Sequence, residues 1–152
     1  MLIFLDIDGV MVPAKGHKAP DFLKDGFAAF SSQAAQTLDR LIKEYNATII
    51  LTTSHKSNYN LAEWKAIFNA RGVDTRLIAS LPANTQFLSR KDEILNWFSR
   101  NQADSNFVII DDDTSLNALP AKLKKHFVLT SSYVGLTPAH FEEIKTILSS
   151  AG

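Results

Sequence analysis

Two aspartates one residue apart, Asp6 and Asp8, follow the apolar run Leu2-Ile3-Phe4-Leu5 and lead into Gly9 and Val10. Such a run forms a buried strand, and the carboxyl ends of strands are where open α/β sheets place their chemistry. Two neighbouring buried carboxylates are costly unless a cation or a shared proton compensates, so the pair points to a metal site or an acid/base pair. Asp and Gly are turn residues as well, and the rest of the chain must decide between these readings. Three further groups lie at or near the ends of later apolar runs: Thr52-Thr53-Ser54, Lys91, and Asp111-Asp112-Asp113. Each alone has a plain structural role, the hydroxyls and aspartates as caps or turns and Lys91 as a solvated first-turn residue. Together they carry more weight, because parallel strands deliver their carboxyl ends to one edge. Five carboxylates then crowd one crevice and raise each other's pKa unless a hard divalent cation such as Mg²⁺ sits among them. A phosphate substrate follows, bridged by the metal and held by Lys91 and a threonine hydroxyl.

The elements that must position these groups are legible in the pattern. Short β-branched or aromatic runs predict strands at 2–7, 47–53, 75–80, 107–111 and 126–130, alternating with segments of helical period. From Ser31 to Tyr45, the residues Ala34, Leu38, Leu41, Ile42 and Tyr45 share one helical face. A second helix covers Leu61 to Ala70 and stops at Gly72. A third begins near Ser89, whose hydroxyl caps it, and turns Ile94, Leu95, Trp97 and Phe98 inward. The last starts at Thr137-Pro138 and carries Phe141, Ile144, Ile147 and Leu148. This alternation predicts an α/β fold with a mostly parallel five-stranded sheet flanked by helices. Residues 12–30 mix Pro and Gly with Lys15, His17, Lys18 and Lys24, and read as a surface loop or a flap beside the acidic pair.

Length and composition set bounds. The 152 residues suit one domain, 1–152. Sixteen basic side chains balance sixteen acidic ones, so no global field favours nucleic acid or an anionic membrane, and any preference must come from local patches. The absence of cysteine excludes disulfides, thiolate zinc sites and cysteine nucleophiles. No apolar run approaches the roughly 20 residues of a membrane span, and Met1-Leu2-Ile3-Phe4 lacks a basic leader, so a cytoplasmic protein is the expectation.

In these motifs and their order the chain resembles the haloacid dehalogenase (HAD) superfamily of phosphohydrolases. The likeness rests on Asp6-Ile7-Asp8-Gly9-Val10, Ile49-Ile50-Leu51-Thr52, a helix-borne Lys91 and Asp111-Asp112. Among HAD domains it is most similar to those associated with RNA-repair proteins, where a Thr/Ser-rich second motif leads into the next helix and a Gly-Leu-Thr such as 135–137 precedes the last one. The resemblance implies a three-layer Rossmann-like sandwich. It makes Asp6 the nucleophile that becomes an aspartyl-phosphate, and Asp8 the general acid/base, its pKa raised by burial and by neighbouring carboxylates. It assigns Mg²⁺ to the Asp6 carboxylate, the Asp8 backbone carbonyl and Asp112, with Asp111 orienting the ligands. Asp113 stays open as a competitor or as a cap, because Ser115 and Leu116 stand where a common family pattern has a further acid. Thr52 or Thr53 binds the phosphate together with Lys91. Asp8 marks the phosphatases of the superfamily, since dehalogenases lack the second aspartate and transport ATPases carry Thr there.

Neither inter-motif interval has room for a large cap domain, and an open site admits a nucleotide, a nucleic-acid end or another bulky phosphate. His55 and Lys56 read as helix-start residues, with substrate contact as the alternative, Arg90 as a surface residue, with a second anion as the alternative, and Trp64 and Trp97 as packing residues. Two other classes share parts of this constellation. A metal-dependent nuclease or phosphodiesterase uses similar acids without a covalent aspartate. A receiver-like signalling domain also gathers Asp, Thr and Lys at a sheet edge, but with its lysine after a late strand, whereas Lys91 precedes the last two.

Overall fold

In a computed structural model that describes residues 1–14, 16 and 19–150, the chain forms one five-stranded sheet, all of it parallel. The strands are β1 (Leu2–Leu5), β2 (Thr48–Leu51), β3 (Leu77–Ser80), β4 (Phe107–Asp111) and β5 (Phe127–Leu129), in the order β3-β2-β1-β4-β5. The helices are α1 (Ser32–Tyr45), α2 (Leu61–Ala70), α3 (Arg90–Arg100), the single turn α4 (Ala121–Lys124) and α5 (Pro138–Ser150). The chain winds outward from β1 to β3 and then crosses back to β4 and β5. The strand order therefore reverses beside β1, which opens a crevice at the carboxyl ends of β1 and β4.

Side-chain alternation along the strands divides the core into two. Ile3, Leu5, Ile49, Leu51, Val108 and Ile110 face α1, α2 and α5, whereas Phe4, Ile50, Phe107 and Ile109 face α3. This gives the three layers. On the α3 side the Phe4 ring meets Trp97 edge-on at 4.9 Å and lies 5.2 Å from Phe98. Trp64 is fully buried on the opposite face.

The sequence signals for helix ends act in part as expected: the predicted Ser89 cap forms, whereas Thr137, ahead of Pro138 at the start of α5, donates from its backbone N to His140 Nδ1. Ser31 and Ser89 accept from Ala34 N and Asp92 N, and Asn60 with Glu63 forms a reciprocal capping box. The ladders begin later than the apolar runs suggest at β3, which starts at Leu77 rather than residue 75. They also stop short of Thr52, Asp6 and Ile7, which leave the sheet to build the site. Two 3₁₀ turns, Lys56–Asn58 and Thr114–Ala118, and the single-turn α4 carry too few residues to show a period.

The excursion after β1 is pinned to the end of α2. Arg71, the C-cap of α2, donates to the Asp25 carboxylate and to the carbonyls of Phe27, Ala28 and Ile67. Its guanidinium holds the Asp25 carboxyl down at about 2, chiefly through that hydrogen bond. Residues 21–29 are thus tied back along α2, with the Phe27 ring on His55 and Trp64. Lys15, His17 and Lys18 lie outside the described residues.

Candidate active site

The alternation that sorts the core also aims the site residues. Asp6 continues the face of Phe4, Thr52 that of Ile50, and Asp111 that of Phe107 and Ile109, so all three belong to the α3 side of the crevice. Backbone bonds carry the ladders past the strand ends: Asp6 N donates to Ile110 O, Thr52 N to Leu5 O and Thr130 N to Asp111 O. After Asp6 the chain curls around one carbonyl, Ile7 O, which accepts from Val10, Met11 and Val12. Thr130 Oγ1 fastens this loop by donating to Gly9 O at 2.8 Å. Gly9 is required twice over. Its φ is +81°, and a Cβ there would run into Asp112 Oδ2.

Asp6, Asp111 and Asp112 each offer an oxygen, all within 4.8 Å of one another. Burial and the Asp111 charge push the Asp6 carboxyl up to about 8, against the opposing pull of Arg90. Asp112 is raised too, first by burial and then by Asp111. Arg90 Nη1 lies 2.6 Å from Asp111 Oδ2 and 3.3 Å from Asp6 Oδ1. Burial pulls its pKa down, but the Asp6 and Asp111 charges outweigh this and hold the guanidinium firmly protonated. With all three carboxylates ionised, one guanidinium would leave two negative charges in a largely buried pocket, the charge that one divalent cation cancels. An all-oxygen donor set suits a hard ion such as Mg²⁺. Asp111 has little coordination left to give, because Oδ2 takes Arg90 and Oδ1 accepts from Asp113 N. Asp113 caps the following 3₁₀ turn by accepting from Ser115 N.

Thr52 and Thr53 separate by their partners. Thr53 Oγ1 accepts from His55 N at 3.2 Å in a local turn. Thr52 Oγ1 is buried with no hydrogen-bond partner among the described residues, which is costly unless a ligand supplies one.

Three expectations require correction. Arg90, read from the sequence as a surface residue, is the cation at the acids, whereas Lys91 makes no ion pair with them among the described residues. The reason is helical phase: Arg90 sits one turn before the fully buried Ile94, while Lys91 sits one turn before the half-buried Leu95. That spacing was present in the sequence as a signal. Second, Asp8 is not buried among carboxylates. Its side chain is 65% exposed, and Oδ2 lies 2.9 Å from His55 Nε2. Asp8 is not among the three acids that gather at the crevice. Third, His55 and Lys56 do more than start a helix. His55 makes no cap bond and meets Asp8 instead. Lys56 is buried, with Nζ 2.8 Å from Glu93 Oε2, an ion pair by distance although Oε2 lacks a well-aligned hydrogen bond. Nothing in the local sequence marks Lys56 for burial, because its partner is 37 residues away on α3.

A family model described as the HAD domain in Swiss Army Knife RNA repair proteins matches residues 2–141. The chain belongs to this family. The match carries a phosphohydrolase-type function in general, and the cluster of Asp6, Asp111 and Asp112 at the crevice of this HAD domain is compatible with it. It also replaces the receiver-like reading. No curated protein matches the chain. No helix among the described residues is long and apolar enough to cross a membrane.

Proposed function

We propose that this HAD domain is a Mg²⁺-dependent phosphomonoesterase that forms an aspartyl-phosphate on Asp6, with a nucleic-acid end as substrate. The observation that carries the reading is the convergence of an Asp6 carboxylate, a buried guanidinium from Arg90 and the unpartnered Thr52 hydroxyl at one strand edge. The cation would be held by Asp6, Asp112 and the Asp8 backbone carbonyl, with Asp111 orienting them through its bonds to Arg90 and Asp113 N. When bound, it neutralises the carboxylates and the phosphate, removing the repulsion that keeps an anionic nucleophile from an anionic substrate.

The chain's own residues do the rest. Arg90 takes a phosphoryl oxygen in a forked contact, the role the sequence suggested for Lys91, and Thr52 Oγ1 donates to another. Asp6 attacks phosphorus, and the P–O bond to the leaving group breaks. Asp8 protonates that departing oxygen and then takes a proton from the water that cleaves the aspartyl-phosphate, returning Asp6 and releasing inorganic phosphate. Its exposure gives it access to both solvent and leaving group, and His55 orients it.

The test is phosphate release from 5′- and 3′-phosphorylated oligonucleotides, nucleotides, sugar phosphates and phosphopeptides, with and without Mg²⁺. Metal-dependent release from oligonucleotides that is abolished in Asp6→Asn is expected. Internal strand cleavage, or activity that persists in Asp6→Asn, would instead support a nuclease without a covalent step.

A further inference from the structure

The loop between β3 and α3 has no part in the chemistry just described, yet it is built with care. Asn84 closes it from both sides, donating from Nδ2 to Leu88 O and accepting at Oδ1 from Leu88 N, each at 2.8 Å. Between these anchors Phe87 adopts φ +53°, a left-handed conformation that costs a bulky residue about 1–2 kcal/mol. Its ring is 93% exposed and meets no other ring among the described residues. A strained backbone that displays an aromatic side chain to solvent contributes nothing to the core, and such strain collects where ligands bind.

What lies beside it gives the ligand's chemistry. A groove of about 480 Å³ is lined by Ser54, Lys56 and Ser57 on one side, Asn84, Thr85 and Leu88 on the other, and Arg90 with Asp113 at its inner end. Arg90 joins it to Asp6 and Asp111. Phe87 is not itself among the lining residues but stands in the same loop, between the groove-lining Thr85 and Leu88. Two residues, Leu88 and Ser89, separate Phe87 from Arg90, at most about 11 Å of chain. A ligand held by its phosphate at Arg90 can therefore lay its next ring on Phe87. The groove walls carry hydroxyls, amides, the Lys56–Glu93 ion pair and the Asp113 carboxylate, with Ala83 and Leu88 as their apolar members, which suits a sugar-phosphate backbone with a base at its edge more than an apolar peptide.

We propose that Phe87 is a stacking platform for the nucleobase nearest the scissile phosphate, so that the domain prefers single-stranded ends that carry a base. This inference rests on the nucleic-acid-end reading above and adds to it the residue that recognises the base.

The experiment measures equilibrium binding of single-stranded oligonucleotides bearing a terminal phosphate and 2-aminopurine as the terminal base. It uses full-length Asp6→Asn protein with Mg²⁺, alone and combined with Phe87→Ala or Phe87→Trp. Fluorescence quenching on binding is expected, with affinity falling about five- to a hundredfold in the alanine variant and recovering in the tryptophan variant. An otherwise identical oligonucleotide with an abasic end should bind all three proteins equally. Equal binding of based and abasic ends by the Asp6→Asn protein overturns the proposal, as does indifference to Phe87→Ala. A phosphopeptide that outcompetes the oligonucleotides in a Phe87-dependent way also overturns it and assigns the loop to a protein partner. Because binding is read without turnover, these outcomes stand apart from failure of the phosphatase reading, which shows as phosphate release insensitive to Asp6→Asn.

Discussion

Arg90 and Asp6 determine the electrostatics at the level of single residues, and each gives a prediction. Replacing Arg90 with Ala removes the cation between Asp6 and Asp111 and leaves two buried carboxylates facing each other. Phosphate release should fall at least a hundredfold in Arg90→Ala and by less than threefold in Lys91→Ala, as steady-state kinetics would show. Equal losses would return the role to Lys91. The second prediction concerns pH. Asp6 has a folded pKa raised to about 8 from 3.8, so the native state holds its proton more tightly than the unfolded chain does. The resulting stability is fully present below about pH 4 and is lost as pH rises through about 8, with a slope of at most about 1.4 kcal/mol per pH unit. Melting of metal-free protein should therefore decline between pH 5 and 8, less so in Asp6→Asn, and Mg²⁺ should raise Tm more at pH 8 than at pH 5. A flat profile in wild-type protein, or the same decline in Asp6→Asn, would show that Asp6 is not the strained carboxyl.

Among the elements, the excursion after β1 is held by one side chain. Arg71 is almost wholly buried and serves Asp25 and three carbonyls, so Arg71→Ala leaves three half-buried carbonyls without that donor and removes the ion pair to Asp25. A loss of about 2–4 kcal/mol in urea unfolding is expected, with Arg71→Lys recovering only part because an ammonium cannot reproduce the fork. Elements of this size also show what a sequence can disclose. Helices α1, α2, α3 and α5 could be read because a helical period of apolar residues runs through each, bounded where the chain offers a signal, as Ser89 with Asp92 does for α3 and Gly72 does after α2. The acidic and hydroxyl groups could be read because each ends an apolar strand. Which of Arg90 and Lys91 turns inward depended on a rotation of about 100° per residue, and the clue was the single spacing from Arg90 to Ile94. The pairings of Lys56 with Glu93 and of His55 with Asp8 could not be read, since they join residues 37 and 47 apart through the tertiary fold alone.

Taken as a whole, the molecule sets a nearly neutral chain around one charged crevice, where strand order reverses and three acids meet a guanidinium and an unpartnered threonine. On the proposed nucleic-acid-end reading, a chain with no net charge to gather that substrate over distance would recognise it through the crevice and the groove beside it. The fold follows from the period-two alternation that sends Phe4, Ile50 and Ile109 to one layer and Ile3, Leu5 and Val108 to the other. The same alternation brings Asp6, Thr52 and Asp111 to a common face. The central claim is that Asp6 carries the phosphoryl group in transit. The direct test is an acid quench of a single turnover with Mg²⁺ and a phosphorylated oligonucleotide, followed by mass-spectrometric mapping of the peptide that contains Asp6. A phosphoryl adduct on Asp6, absent from Asp6→Asn and decaying as inorganic phosphate appears, is the predicted result. Phosphate release at the full rate from Asp6→Asn, with no adduct on the wild-type peptide, would contradict the account.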